Sequence, residues 1–142
     1  MHINPERSDR PDYDLLVRQV TSILEGERDL TANASQFSAL VYDTIADLNW
    51  AGFYFTVPSK KGEGNDLLVG PFQGKPACAR IPFGRGVCGA TAVQRETIVV
   101  ADVHARQDKP TSKTADLRYF RVDQIDGMFA RFRDNFALCV AA

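Results

Sequence analysis

Three side chains in this 142-residue sequence are suited to covalent chemistry near neutral pH: Cys78, Cys88 and Cys139. Cys88 opens a predicted helical segment, Cys88 to Arg95. Unpaired N–H groups and the positive end of a helix dipole favour a thiolate at such a place, and Arg85 and Arg80 lie close enough in sequence to add positive potential. A small buried hydrophobe that packs the helix onto a sheet would leave the same trace, so both readings of Cys88 stand. Cys78 comes ten positions earlier, on a loop after Pro76 and Ala77, where a core residue is less natural. Two neighbouring thiols suit a nucleophile and a resolving partner, provided their Cα atoms come within roughly 4.4–6.8 Å. Both lie in a Gly- and Pro-rich stretch from Gly70 to His104, the kind of loop-dense segment that shapes a site.

Three other chemistries compete for these residues. Gly84, Gly86 and Gly89 spell G-x-G-x-x-G, but Arg80 and Pro82 interrupt any buried strand run into it, which weakens a dinucleotide reading. Cys78, Cys88, His104 and Cys139 could together ligate zinc, yet none stands at the short C-x₂₋₄-C spacing of structural sites, so no metal is expected. His104 with Asp102 and a cysteine could form a hydrolase-like triad, although a His two residues from an Asp at a strand end more often stabilises a turn.

The elements that must position these groups follow from periodicity. Tyr13, Leu16, Val17, Val20, Ile23 and Leu24 form an apolar stripe at helical spacing, which predicts a helix over 12–25 with Pro11 suited to its first turn and Gly26 as its stop. A second helix starts after Asp29 or Thr31 and runs to about 47, burying Leu30, Phe37, Leu40, Val41, Ile45 and Leu48. From Asn49 to Val57 the period changes to two, so a strand ended by Pro58 carries Trp50 and Tyr54 on one face and Ala51, Phe53 and Phe55 on the other. On residue type alone those two aromatics are core residues under a helix. A polar loop over 59–66 returns into a paired strand, Leu67 to Phe72, and Thr97 to Ala101 forms a further β-branched strand. Helices that precede and interrupt a mainly antiparallel sheet give an α+β class.

Length and composition fit one globular domain, with 44% hydrophobic and 25% charged residues. Residues 1–11 form a polar N-terminal arm. A net charge of −1, with Lys and Arg dispersed, gives no electrostatic footprint for nucleic acid. No window reaches the roughly 18 apolar residues of a membrane span, and no apolar leader is evident, so a cytoplasmic protein is expected. An odd, sparse set of cysteines in that reducing compartment points to thiols or a transient disulfide, with no further cofactor needed.

Four stretches carry a resemblance to a known family. W-A-G-F-Y over 50–54, G-P-F-Q-G-K-P-A-C over 70–78, I-P-F-G-R-G-V-C-G over 81–89 and D-V-H over 102–104 resemble free methionine-(R)-sulfoxide reductases, and L-E-G-E-R-D-L-T-A-N over 24–33 is similar too. The resemblance covers about residues 12–105 and implies a GAF domain, a six-stranded antiparallel sheet flanked by helices around a small closed pocket. It implies reduction of the R epimer of free methionine sulfoxide, with thioredoxin as reductant and self-association into a homodimer left open. Carried onto matching positions, Trp50 and Tyr54 wall the pocket around the substrate methyl group, and Cys78 and Cys88 are two of the family's three redox cysteines. Residues 106–142 depart from the family: the segment with its third cysteine, usually the nucleophile, and the later acidic strand that binds the substrate amine find no match. Counted without gaps, the third-cysteine position falls on Ser112, and Cys139 lies 51 residues beyond Cys88. A replaced reading frame and a divergent tail both explain such an ending, in which no strand-turn-strand pattern is legible. The departure implies impaired turnover, or a GAF-type module that binds a small ligand without turning it over.

Overall fold

The computed structural model describes residues 11–96, Ile98 and the strand at 136–141. Helix α1, Tyr13–Leu24, is started by Asp12, whose carboxylate accepts the Leu15 N–H at 2.9 Å. Pro11 therefore precedes the cap and does not occupy the first turn. Leu16, Val20 and Leu24, spaced by four, are buried, whereas Tyr13 at the start of the expected stripe is 51% exposed. Helix α2, Leu30–Thr44, begins at a denser capping arrangement. Asp29 accepts the Ala32 N–H at 2.8 Å, and the Glu27 carboxylate accepts the N–H groups of Asp29 and Arg28 at 2.8 and 2.6 Å. Those two bonds, Asp29 first, hold the Glu27 carboxyl below its ordinary pKa. The G-E-R-D stretch thus builds a helix start. Helix α2 ends three residues before the expected position, because Ile45 turns to extended backbone and Asp47 takes a left-handed φ of 61°. Ile45 and Leu48 are nevertheless buried as expected.

Strand β1, Trp50–Pro58, pairs antiparallel with β2, Asn65–Gly74, and with β4, Phe136–Ala141. Strand β3, Arg80–Pro82, adds to the outer side of β2, so the described sheet runs β3-β2-β1-β4. Helix α3, Gly86–Gln94, completes an α+β fold, the expected class. Two strands were not legible in the sequence. Strand β3 is three residues long and ends on Pro82, which an edge position tolerates because no further strand needs its missing N–H. Strand β4 lies in the stretch for which no strand pattern was expected. The arm at 1–10, Asp102, His104, Ser112 and all but Ile98 of the expected strand at 97–101 lie outside the described residues.

The period-two pattern of β1 divides two apolar layers. Ala51 and Phe53 pack beneath the helices with Leu16, Val20, Leu24, Phe37, Leu40 and Val41. Phe37 and Phe53 meet edge to face, with centroids 5.5 Å apart. Trp50 and Tyr54 point the other way, into a layer with Leu67 and Val87. Ser38 fastens α2 to the sheet, its hydroxyl lying 2.7 Å from the Ala34 carbonyl and 3.3 Å from that of Pro71.

Candidate functional site

The second layer holds the residues that the sequence singled out. Gly52 lies between Trp50 and Tyr54 in the strand, and the two rings stack with centroids 5.6 Å apart and planes 27° apart. Phe72, paired with Gly52 across β2, stacks on Trp50 at 5.4 Å. Both β1 aromatics are buried, Trp50 to 6% and Tyr54 to 4% exposure. The side chains of Ala77, Phe83, Cys88 and Ala92 pack around this cluster.

The loop at 75–79 carries Cys78 and is fastened at both ends and in the middle. Lys75 N–H donates to the Asn49 carbonyl at 3.0 Å, and the Ala79 carbonyl accepts from Val69 N–H at 2.9 Å. Between them the Tyr54 hydroxyl donates to the Cys78 carbonyl at 2.9 Å. The Cys78 thiol is exposed, while Cys88 is half-buried against the aromatic cluster. One aromatic pair therefore touches the helix bearing one cysteine and the loop bearing the other.

Helix α3 starts at Gly86 with Arg85 as its N-cap, so Cys88 is its third residue, still within the first turn. The glycines before it have structural reasons. Gly84 and Gly86 take φ values of +82° and +64°, and a Cβ on Gly89 would lie 2.7 Å from the Pro82 carbonyl oxygen. They seat a helix closely on an antiparallel edge strand, which is not the parallel βαβ setting of a dinucleotide site.

Arg80 does not serve Cys88 in the way its sequence proximity suggested. Its guanidinium lies 3.1 Å from the buried Asp66 carboxylate and 3.3 Å from the Pro58 carbonyl, tying β3 to the β1–β2 hairpin. Asp66 was assigned to a loop, yet it sits in β2 opposite Pro82, one position into the strand. Arg80→Met should lower stability by about 1–3 kcal/mol in urea denaturation, because it strands a buried carboxylate. It should leave the rate of Cys88 alkylation unchanged. A slower Cys88 reaction in a folded Arg80→Met variant would restore Arg80 to the thiol's surroundings.

Cys88 keeps its place in the first turn of α3, after the N-cap Arg85, and a helix start of this kind favours a thiolate. Brief iodoacetamide treatment near neutral pH should therefore label Cys88 before Cys78, although exposure alone gives the opposite order. Mass-spectrometric mapping that finds Cys78 first overturns this assignment. Among the described residues no cluster of three His, Cys, Asp or Glu could hold a metal ion, and no helix is long and apolar enough to cross a membrane. The side chain of Cys139 and the whole of His104 lie outside the described residues.

No family model matches the chain. Individual proteins do. The free methionine-R-sulfoxide reductase of Escherichia coli is 42% identical over 92 residues, which are 65% of this chain and 52% of that one. The solved structure of fRMsr from Staphylococcus aureus in its reduced form superposes with a TM-score of 0.75 at 34% identity, over 94% of this chain and 80% of its own. The same protein in complex with substrate gives a TM-score of 0.72 at 34% identity, over all of this chain and 83% of its own. The chain spans 50–62% of the length of the curated relatives it matches.

Proposed function

This chain belongs to the free methionine-R-sulfoxide reductase family of GAF-like domains, and on that premise we propose that it reduces free L-methionine (R)-S-oxide to L-methionine through cysteine thiols, at a reduced rate. The observation that carries the reading is the shared aromatic layer. Trp50 and Tyr54 lie in the same cluster as Cys88 of α3, and Tyr54 holds the Cys78 loop by its carbonyl. In the proposed reaction Cys88 attacks the sulfoxide sulfur as thiolate. Methionine leaves, the oxygen and a proton stay on the cysteine as a sulfenic acid, and Cys78 displaces water from it to form a disulfide. A dithiol protein of the thioredoxin type returns both thiols. Binding rests on Trp50 and Tyr54, whose rings wall the substrate methyl group.

Replacing either aromatic by alanine removes ring contacts worth about 1 kcal/mol or more beyond area burial, so each variant should bind methionine (R)-sulfoxide roughly five- to tenfold more weakly. Calorimetry on folded variants checks this, and unchanged affinity in the double variant removes the pocket assignment. Ser112 at the third-cysteine position favours a second reading, a module that binds the sulfoxide without turnover. The two separate in one experiment. Thioredoxin oxidation that depends on the R epimer supports the reductase, whereas a thermal shift by the same ligand without thioredoxin oxidation supports the binding module.

A further inference from the structure

The indole N–H of Trp50 is buried and has no hydrogen-bond acceptor among the described residues. Its residue is 6% exposed, and its ring is stacked against Tyr54 and Phe72. Packed in the same cluster are Leu67, Val69, Val87, Ala92 and the half-buried Cys88. A buried unmet donor is costly, and one retained beside two candidate redox thiols calls for an acceptor such as a ligand. We infer that the Trp50 N–H donates to the sulfoxide oxygen of the ligand and thereby separates substrate from product; the inference rests on the function proposed above.

The chemistry of the lining narrows the acceptor. A carboxylate entering among these apolar side chains would be desolvated, which is unfavourable. A sulfoxide oxygen is neutral, strongly polar and small, and it adjoins the methyl group that the aromatic rings would cover. The thioether of methionine offers only a weak sulfur acceptor. Once the oxygen has gone, the donor is unmet again and the product is held less tightly than the substrate. Trp50 acts here as a positioning and specificity residue, through its edge, in addition to any contact made by its face.

Trp50 is the single tryptophan of the chain, so a ¹⁵N-labelled sample gives one indole N–H resonance, assigned without mutation. Titration with L-methionine (R)-sulfoxide should move that resonance downfield, and titration with L-methionine should not. In Trp50→Phe the preference for sulfoxide over thioether should fall by about tenfold, beyond any loss from the smaller ring that both ligands share. Binding of the sulfoxide with an unmoved indole resonance overturns the inference and leaves the proposed function standing. So does a folded Trp50→Phe protein with its preference intact. Absence of both sulfoxide binding and turnover in the unaltered chain removes the proposed function and the inference together.

Discussion

With thioredoxin and its reductase as electron source, this chain should turn over free methionine-(R)-sulfoxide on the order of 10³-fold more slowly than the same chain given a family-type ending after His104. On the proposed function, a count without gaps puts the family's usual nucleophile position at Ser112. A serine hydroxyl is not ionised near neutral pH and cannot pass through a sulfenic acid to a disulfide, so both steps fall to Cys88 and Cys78. Loss of a covalent nucleophile can cost factors near 10⁶, and a second thiol packed against the Trp50 and Tyr54 cluster would recover part of that. On the same proposal, the unmatched acidic strand would add weaker capture of the substrate amine. Steady-state rates at saturating substrate separate the two defects, because the nucleophile affects kcat and the amine contact affects KM. Equal rates for the two chains would show that the third cysteine is dispensable and that the pair at 78 and 88 suffices.

The largest stability effect should come from Gly52→Ala. A Cβ at Gly52 would stand 2.7 Å from the Phe72 Cα and 2.8 Å from the Pro71 carbonyl oxygen. These are backbone atoms of a paired strand, and Gly52 is paired on both sides, with Phe72 and with Cys139, so neither neighbour can step back without breaking a ladder. Overpacking of this kind costs about 1–3 kcal/mol or more, and a domain approaching 150 residues loses roughly 2–4 °C of melting temperature per kcal/mol. The expected result is a fall of roughly 5–10 °C in Tm for Gly52→Ala. Gly62→Ala is the comparison: its Cβ would meet nothing within 4 Å, and only the left-handed φ of +96° resists it, for about 1–2 kcal/mol. If the two variants melt together, close approach at Gly52 is not what fixes that position.

Much of the framework was legible because it depends on short-range patterns. Two helices, a hairpin and the division of β1 into Ala51 and Phe53 on one side and Trp50 and Tyr54 on the other follow from periodicity and from capping residues that act within three or four positions. Strand β3 was missed because three residues, one of them proline, carry no alternation, and it exists only by pairing with β2. The role of Arg80 was misjudged because sequence proximity to Cys88 says nothing about Asp66, which is brought to it by the hairpin. Phe72 and Gly52 were part of the matched motifs without a stated role; their register pairing supplies one, since the bare position on β1 is what Phe72 covers. The unmet N–H of Trp50 could not be foreseen from residue types, because it depends on what the neighbouring rings leave uncovered.

The pairing of β4 with β1 also constrains the order in which the protein can be made. Cys139 follows Gly52 by 87 positions, yet the two are cross-strand partners. During synthesis the helices and the β1–β2 hairpin emerge and can collapse early, but the far side of β1 has no partner until residues 136–141 leave the ribosome. Until then a nine-residue strand bearing Trp50, Phe53, Tyr54 and Phe55 presents an open ladder, the kind of edge that recruits other chains. Closing so long a loop also slows folding relative to the local elements. The interval between emergence of β1 and arrival of β4 is therefore the period in which this chain most needs shielding from its neighbours.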